Sequence, residues 1–486
     1  MELKAIISGI EGLKARGNLS IDITSVESDS RKINKNSLFV AIKGFEVDGH
    51  KFIKQAIQNG ATAVMIQAGE KLNKADIPDD LTIIMAPDTR IALAKIACNF
   101  YGNPSKKLKL IGVTGTKGKT TTTFMIKAIL EGFGKKVGLI GTVANYIGTR
   151  NLGESSRTTP DSLELQKLFS DMLKENVEYA VMEVSSQALK LHRVDGCDFD
   201  IGVFTNFSED HISEHEHPNM EDYFNSKLQL IKLSKMSFIN SDDFRVSKIK
   251  KLLPDKEIKS YGIDNEADLI AKDITITNAS VDFKVKINGK NERIKTGIPG
   301  RFSVYNSLAA ISVVTKLGVD AECIKESLLS VRVPGRSELV DNKKGLAIMI
   351  DYAHSPESLE SILSAAKAYT RGKVISVFGC GGDRDKGKRP IMGQISTNIA
   401  DFTIITSDNP RSEEPAEIVK EIEAGAKKTK GNYITIVDRT EAIKYAINMA
   451  NKNDLIVLAG KGHETYQEIN GVKKHYDERE IIKEVI

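Results

Sequence analysis

Short apolar runs alternate along this chain with amphipathic stretches, and many of the runs break straight into polar loops. In the last third the pattern occurs four times, in "LAIMIDYAHS", "KVISVFGCGGDRD", "FTIITSDNPR" and "DLIVLAGKGHE". Each reads as a strand buried on both faces, because the apolar residues are continuous rather than spaced at helical intervals. "YAVMEVSS" and "DIGVFTN", in the middle of the chain, read the same way. Ligands of open parallel sheets bind beyond the carboxyl ends of the strands, so four polar loops at four strand ends predict one composite site.

The segment "IGVTGTKGKTTTTFMI" (111–126) predicts a strand, a glycine-bearing turn and a helix. Such a turn cradles phosphate, since helix N-terminal amides and a lysine both face the anion. Lys119 would bridge terminal phosphates and the Thr120 hydroxyl would meet Mg²⁺. The strict nucleotide-loop pattern wants a glycine where Val113 stands, so the glycines are displaced to Gly112 and Gly115. Glu183 ends a buried strand, where a carboxylate is costly unless it meets a cation. His211, His215 and His217 crowd into "SEDHISEHEHP", which reads as exposed loop more readily than as a zinc site; Lys227 reads as an ordinary helix-surface lysine.

The length of 486 residues suggests about three domains. With 69 basic and 65 acidic residues the charge is too balanced to point to nucleic acid. Cys98, Cys197, Cys323 and Cys380 form no CxxC pair, as expected of reduced thiols in a cytoplasm. Neither a signal peptide nor an apolar run of membrane-spanning length is evident, so a cytoplasmic protein without membrane insertion is expected. "YGNPSKKLK" (101–109) and "VRVPGRSELV" (331–340) read as linkers.

Taken in order, "DSR", "GTKGKTTT", "RTTPDS", "MEVSSQAL", "TNFSEDHISEH", "YFNSKLQL", "GRFSVYNSLAA", "VPGRSE", "IDYAHSPESL", "GGDRDKGKRP", "SDNPR" and "GKGHE" resemble the Mur ligases along the whole chain. The likeness is strongest to the MurE type, which extends UDP-N-acetylmuramoyl-L-alanyl-D-glutamate. GTxGKT is that family's own loop, which accounts for the displaced glycines. The resemblance implies three α/β domains: 1–104 for the UDP-muramoyl substrate, 105–334 as a central P-loop parallel-sheet domain for ATP, and 335–486 as a Rossmann-like domain for the amino acid. Gly115, Thr116, Lys117, Gly118, Lys119, Thr120 and Thr121 would then hold ATP, with Asn306 at the base and Arg336 and Asp351 at phosphates and ribose. Glu183 and His211 would ligate metal with Thr120, and Lys227 would be carbamylated by CO₂ to join them. An ammonium beside Mg²⁺ is repelled where a carbamate is attracted. Lys119, Glu183, His211 and Lys227 form the implied catalytic set.

The same resemblance puts Thr158, Thr159, Ser185 and Arg193 on the muramoyl peptide, and Ser28, Ser30, Phe45, Glu46 and Val47 at the uridine. It puts Arg389, Asp408, Asn409, Pro410, Arg411, Gly460 and Glu464 around the amine. The implied reaction phosphorylates a carboxylate with ATP and lets an amine displace phosphate, as part of peptidoglycan precursor synthesis. "DNPR" implies meso-diaminopimelate, whose distal carboxylate suits the planar fork of Arg411. L-lysine as the amine is the nearest alternative, followed by a folylpolyglutamate-synthase-like ligase, a P-loop NTPase, and a nucleotide-binding regulatory protein. Small-molecule substrates and a monomer are expected.

Overall fold

In the computed structural model the described residues are all but 46, 72, 74–76, 154, 156, 211, 214 and 215. The expected roles of His211, His215 and Glu46 therefore lie outside the described residues. The chain divides into two compact units, Met1–Lys119 with Phe133–Tyr261, and Thr120–Gly132 with Gly262–Ile486.

The first unit opens on a five-stranded sheet ordered Lys14–Arg16, Thr82–Ala86, Ala61–Gln67, Ser37–Val40, Ser25–Glu27. Only Lys14–Arg16 runs antiparallel to its neighbour. A second sheet in this unit is built on parallel strands, with Lys109–Thr114 between Tyr179–Glu183 and Phe199–Phe204. Val137–Ile140 lies outside Tyr179–Glu183, and Met236–Asn240 and Glu257–Gly262 lie outside Phe199–Phe204. Leu110, Ile111, Val113, Val181, Met182, Ile201 and Val203 are all buried, which is why these strands read as continuous apolar runs. The expected linker around "PSKK" is instead a 3₁₀ turn, Pro104–Lys107, in which Pro104 and Ser105 are buried. The Ser105 hydroxyl accepts the Asp198 N–H at 3.3 Å, so this turn is anchored to the parallel sheet.

In the second unit, helices Arg301–Lys316 and Ala321–Ser330 pack with the helix Lys119–Gly132, whose residues from Thr120 belong to this unit. The Ser307 hydroxyl meets Met125 Sδ, and the Cys323 thiol points at the Ile129 carbonyl. Strands Leu269–Ile276, Val281–Ile287 and Lys290–Thr296 form an antiparallel meander. The last sheet has the order Glu338–Leu339, Ala347–Asp351, Leu455–Ala459, Val374–Phe378, Phe402–Ile405, Tyr433–Thr435, and is parallel except for its first strand. Alternate residues face two cores. Met349 and Val457 lie in one; Ile348, Ile350, Ile456 and Leu458 lie in the other. The four strands that end in the polar loops are adjacent in this sheet, so the topology gathers those loops along one edge. A small hairpin, Tyr466–Ile469 with Val472–His475, follows the last of them.

Candidate active site

The phosphate-type loop begins where Lys109–Thr114 ends. Gly115 has φ +145°, and a Cβ there would lie 1.9 Å from Thr205 Oγ1, so no other residue fits. The segment "TNFS" braces the loop from the next strand. The Asn206 carbonyl accepts Thr116 N–H at 2.9 Å and Asn206 Oδ1 accepts Lys117 N–H at 2.9 Å. Thr205 Oγ1 and Asn206 Nδ2 both donate to the Lys117 carbonyl, at 2.7 and 3.0 Å. Thr116 Oγ1 receives Ser208 N–H at 3.1 Å and the Tyr223 hydroxyl at 3.2 Å.

Two lysines converge on one carbonyl. Lys119 Nζ donates to the Gly115 oxygen at 2.9 Å and to that of Thr116 at 3.0 Å, while Lys227 Nζ donates to Gly115 at 2.7 Å. The surface lysine expected at 227 is in fact buried, because it faces inward from the helix Met220–Leu233 and its Nζ lies 4.4 Å from the Tyr223 ring centroid. Burial, and then the positive charge of Lys119, hold its ammonium well below the ordinary lysine range. The neutral amine is thereby favoured.

Both lysines line a cavity of about 260 Å³ with Arg157, Thr158, Thr159, Ser185, Arg193 and His217. The structure thus brings four of the expected substrate residues to the loop lysine. Thr159 Oγ1 donates to the Glu183 carbonyl at 2.9 Å and accepts Ser185 N–H at 3.0 Å. Ser185 caps the helix Ser186–Lys190. Arg193 is anchored by Asp161 at 3.0 Å and by the Thr159 carbonyl at 3.2 Å.

Glu183 is buried at the end of its strand, as expected, and hydrogen-bond donors face it there. Thr142 supplies two of them, its N–H at 2.8 Å and its hydroxyl at 3.1 Å. Thr142 Oγ1 also lies 3.0 Å from Thr158 Oγ1, linking the carboxylate to the cavity wall. Nothing in "GTVAN" marks Thr142 as a site residue before the strands are assembled. A hard carboxylate oxygen suits Mg²⁺ better than zinc, so the donor chemistry at Glu183 fits the metal the resemblance implies.

His217 also departs from expectation. It is fully buried, with Nδ1 2.7 Å from Asp222 Oδ2 and Nε2 2.9 Å from Ser186 Oγ. Burial pulls its pKa down, so the neutral ring donates to Asp222 and accepts from Ser186. Among the described residues one potential metal cluster appears elsewhere, at Asp48, His50 and Glu70. His50 Nδ1 contacts Asp48 at 2.6 Å and Nε2 accepts Gln67 N–H at 3.0 Å, so the ring has no nitrogen to offer an ion.

At the expected uridine region Ser28, Phe45 and Val47 are exposed. Ser30 is buried instead, its hydroxyl donating to Gln55 Oε1 at 2.8 Å. In the second unit Asn306 is buried and accepts from Thr122 Oγ1 at 3.4 Å. Asp351 accepts Ser337 N–H at 2.7 Å; burial pushes its carboxyl up, against the pull of Arg336. The Arg336 guanidinium sits 5.0 Å over the Tyr352 ring.

The strand-end loops form a second polar cluster. Asn409 donates to Glu464 Oε2 at 2.8 Å, and Lys461, fully buried, reaches Asn409 Oδ1 at 3.0 Å and Glu464 Oε2 at 3.3 Å. Lys461 is a neutralising cation that the sequence reading missed, although it stands inside "GKGHE". Burial raises the Glu464 carboxyl, Lys461 opposes that, and Asp408 adds to it. Gly460 has φ +118°, and a Cβ there would lie 2.6 Å from Asp408 Oδ2. Pro410 is buried behind Arg411, its carbonyl 1.9 Å from where a Cβ of Gly382 would sit. Arg411 is partly exposed, donating from Nη1 to the Gly382 carbonyl at 2.7 Å and from Nε to Glu468 at 3.2 Å.

Arg389, expected around the amine, is held by carboxylates of the chain. Its guanidinium is wholly buried, and Glu413 takes it at 2.8 and 2.9 Å, Glu421 at 2.8 Å and the Gly381 carbonyl at 3.3 Å. Carboxylates of the chain already match its charge, and the helix Lys388–Ile399 turns it into the interior.

Patterns of known families match three stretches: Mur ligase family, catalytic domain, at 22–101; Mur ligase middle domain, at 113–314; and Mur ligase, glutamate ligase domain, at 335–462. The chain is 48% identical to the UDP-N-acetylmuramoyl-L-alanyl-D-glutamate–2,6-diaminopimelate ligase of Caldanaerobacter subterraneus subsp. tengcongensis, covering 100% of this chain and 99% of that protein. A solved structure of a UDP-N-acetylmuramoyl-L-alanyl-D-glutamate–2,6-diaminopimelate ligase has a TM-score of 0.73 at 30% identity, covering 100% of this chain and 98% of that one. The MurF ligase of Thermotoga maritima, solved with ADP, shares the fold at a TM-score of 0.60 and 22% identity, over 90% and 94% of the chains.

Proposed function

The chain belongs to the Mur ligase family, and we propose that it joins UDP-N-acetylmuramoyl-L-alanyl-D-glutamate to meso-diaminopimelate with conversion of ATP to ADP and phosphate. The observation that carries this reading is the cavity in which the loop lysine, Lys119, meets Thr158, Thr159, Ser185 and Arg193. A phosphate-binding lysine beside a hydroxyl-rich, cationic wall suits an anionic carboxylate presented to a terminal phosphate.

In this mechanism an oxygen of the glutamyl carboxylate attacks the γ-phosphorus and the bond to ADP breaks. Lys119 balances charge moving onto the phosphate oxygens, and Arg193 holds the peptide. The amine nitrogen then attacks the acyl carbon, the C–O bond to phosphate breaks, and the nitrogen loses a proton. Glu183, with Lys227 once carbamylated, would hold Mg²⁺, which supplies charge neutralisation for phosphoryl transfer. The depressed pKa of Lys227 supports its carbamylation, because only a neutral amine attacks CO₂. Arg411, Asn409 and Glu464 would receive the amine substrate, with Arg411 facing its distal carboxylate.

The test is ADP release from the purified chain with ATP and Mg²⁺. It should require both the UDP-muramoyl dipeptide and an amine. Rapid ADP release with neither present would overturn the proposal in favour of an NTPase.

A further inference from the structure

The hairpin after the last strand-end loop is stitched onto the loop that carries Arg411. Arg411 N–H donates to the Glu468 carbonyl at 3.0 Å, and the Arg411 carbonyl accepts Asn470 N–H at 2.7 Å. Glu468 N–H donates to Asn409 Oδ1 at 3.0 Å, and Gln467 Nε2 donates to the Asp408 carbonyl at 2.7 Å. These contacts hold Arg411 in a left-handed backbone conformation, φ +50°, which non-glycine residues adopt only when their surroundings demand it.

The side chain is held as well. Nε–H donates to Glu468 Oε2 and Nη1–H to the Gly382 carbonyl. Gly381 makes room for the group, since a Cβ there would lie 2.9 Å from Nη1. Among the described residues Nη2 has no partner. The guanidinium is therefore fixed at its Nε edge, with Nη2 and the second Nη1 hydrogen left as a fork for an end-on carboxylate. Arg411 and Glu468 keep about a fifth and a quarter of their side-chain surface exposed, so a ligand can reach the pair.

We propose that Glu468 is a positioning residue that aims Arg411 at the distal carboxylate of the amine substrate and thereby sets amine selectivity. The inference rests on the diaminopimelate reading above. A long arginine left unheld samples many rotamers, and a substrate carboxylate must then order it on binding. A fork already ordered by Glu468 favours a substrate with that carboxylate and gives lysine, which lacks it, nothing. Because the hairpin is tied to the loop through backbone atoms of Glu468, removing its side chain leaves the stitching in place.

The experiment compares kcat and KM for diaminopimelate and lysine in the wild type, Glu468→Ala and Glu468→Gln. Loss of a charge-assisted contact predicts a diaminopimelate KM roughly 10-fold or more higher in Glu468→Ala. Its kcat and the lysine parameters should change little. Glu468→Gln, which keeps an acceptor for Nε–H, should recover most of the loss. An unchanged or lower diaminopimelate KM in Glu468→Ala would make Glu468 a competitor for Arg411 and overturn the proposal. Equal losses for both amines would make it merely structural, and overturn it too. A wild type with no preference for diaminopimelate would instead remove the underlying reading, a failure distinguishable before any variant is made.

Discussion

Replacing Arg389 with methionine separates a structural cation from a substrate arm. Methionine keeps much of the stem volume and removes the guanidinium. In the folded chain that group makes three contacts to Glu413 and Glu421 at 2.8–2.9 Å and is not exposed. The carboxylates left behind are 18% and 40% exposed. Breaking a fully enclosed pair costs ~3–5 kcal/mol, and water reaching these two carboxylates brings the expectation to about 3 kcal/mol. At ~2–4 °C per kcal/mol for a unit of this size, thermal unfolding should shift down by roughly 6–12 °C. Calorimetry of Arg389→Met measures the shift. Adding Glu413→Gln and Glu421→Gln, which leaves no unpaired charge, should recover most of it. An unchanged Tm together with a raised KM for the amine would refute the reasoning and return Arg389 to the substrate pocket.

Four further outcomes are expected. Lys119→Ala should lower turnover by at least ~10², because in the proposed mechanism it removes the charge that stabilises the moving phosphate; steady-state ADP release measures this. Lys227→Ala should be folded but nearly inactive and partly restored by a small carboxylate in the buffer; full activity of this variant in carbonate-free buffer would refute the proposed carbamate. Arg411→Ala should lose most diaminopimelate activity, ~30-fold or more, while the muramoyl-dipeptide KM changes little, as kcat/KM for each substrate would reveal. Glu413 is held at about 2, chiefly by its hydrogen bonds with Arg389, against an ordinary 4.5. A depressed carboxylate pKa stabilises the fold above 4.5 and the effect is lost as pH falls toward 2, so acid titration of Glu413→Gln should show a flatter stability profile across that window.

Much of this architecture was legible because parallel strands buried on both faces write themselves as continuous apolar runs. The four strand-end loops of the last sheet were readable for that reason, and their strands are indeed neighbours. The phosphate loop was legible because Gly115 and Lys119 are dictated by backbone shape and charge. Less was visible where a side chain's direction depends on tertiary packing. Lys227 and His217 looked like surface residues, yet the helix Met220–Leu233 turns one inward and Ser186 with Asp222 encloses the other. The carboxylate partners of Arg389 were not readable because Glu413 and Glu421 lie 24 and 32 residues away. Lys461, Thr142 and Glu468 act through contacts made only once separate loops meet, and no local pattern marks them.

The most direct test of the account is to weigh the product. The chain is incubated with ATP, Mg²⁺, the UDP-muramoyl dipeptide and equimolar diaminopimelate and lysine, and the nucleotide-linked peptides are resolved by mass spectrometry. The account predicts a single new species heavier by one diaminopimelate residue, formed in equal amount with ADP. ADP without any new peptide, or a lysine adduct in comparable amount, would contradict it.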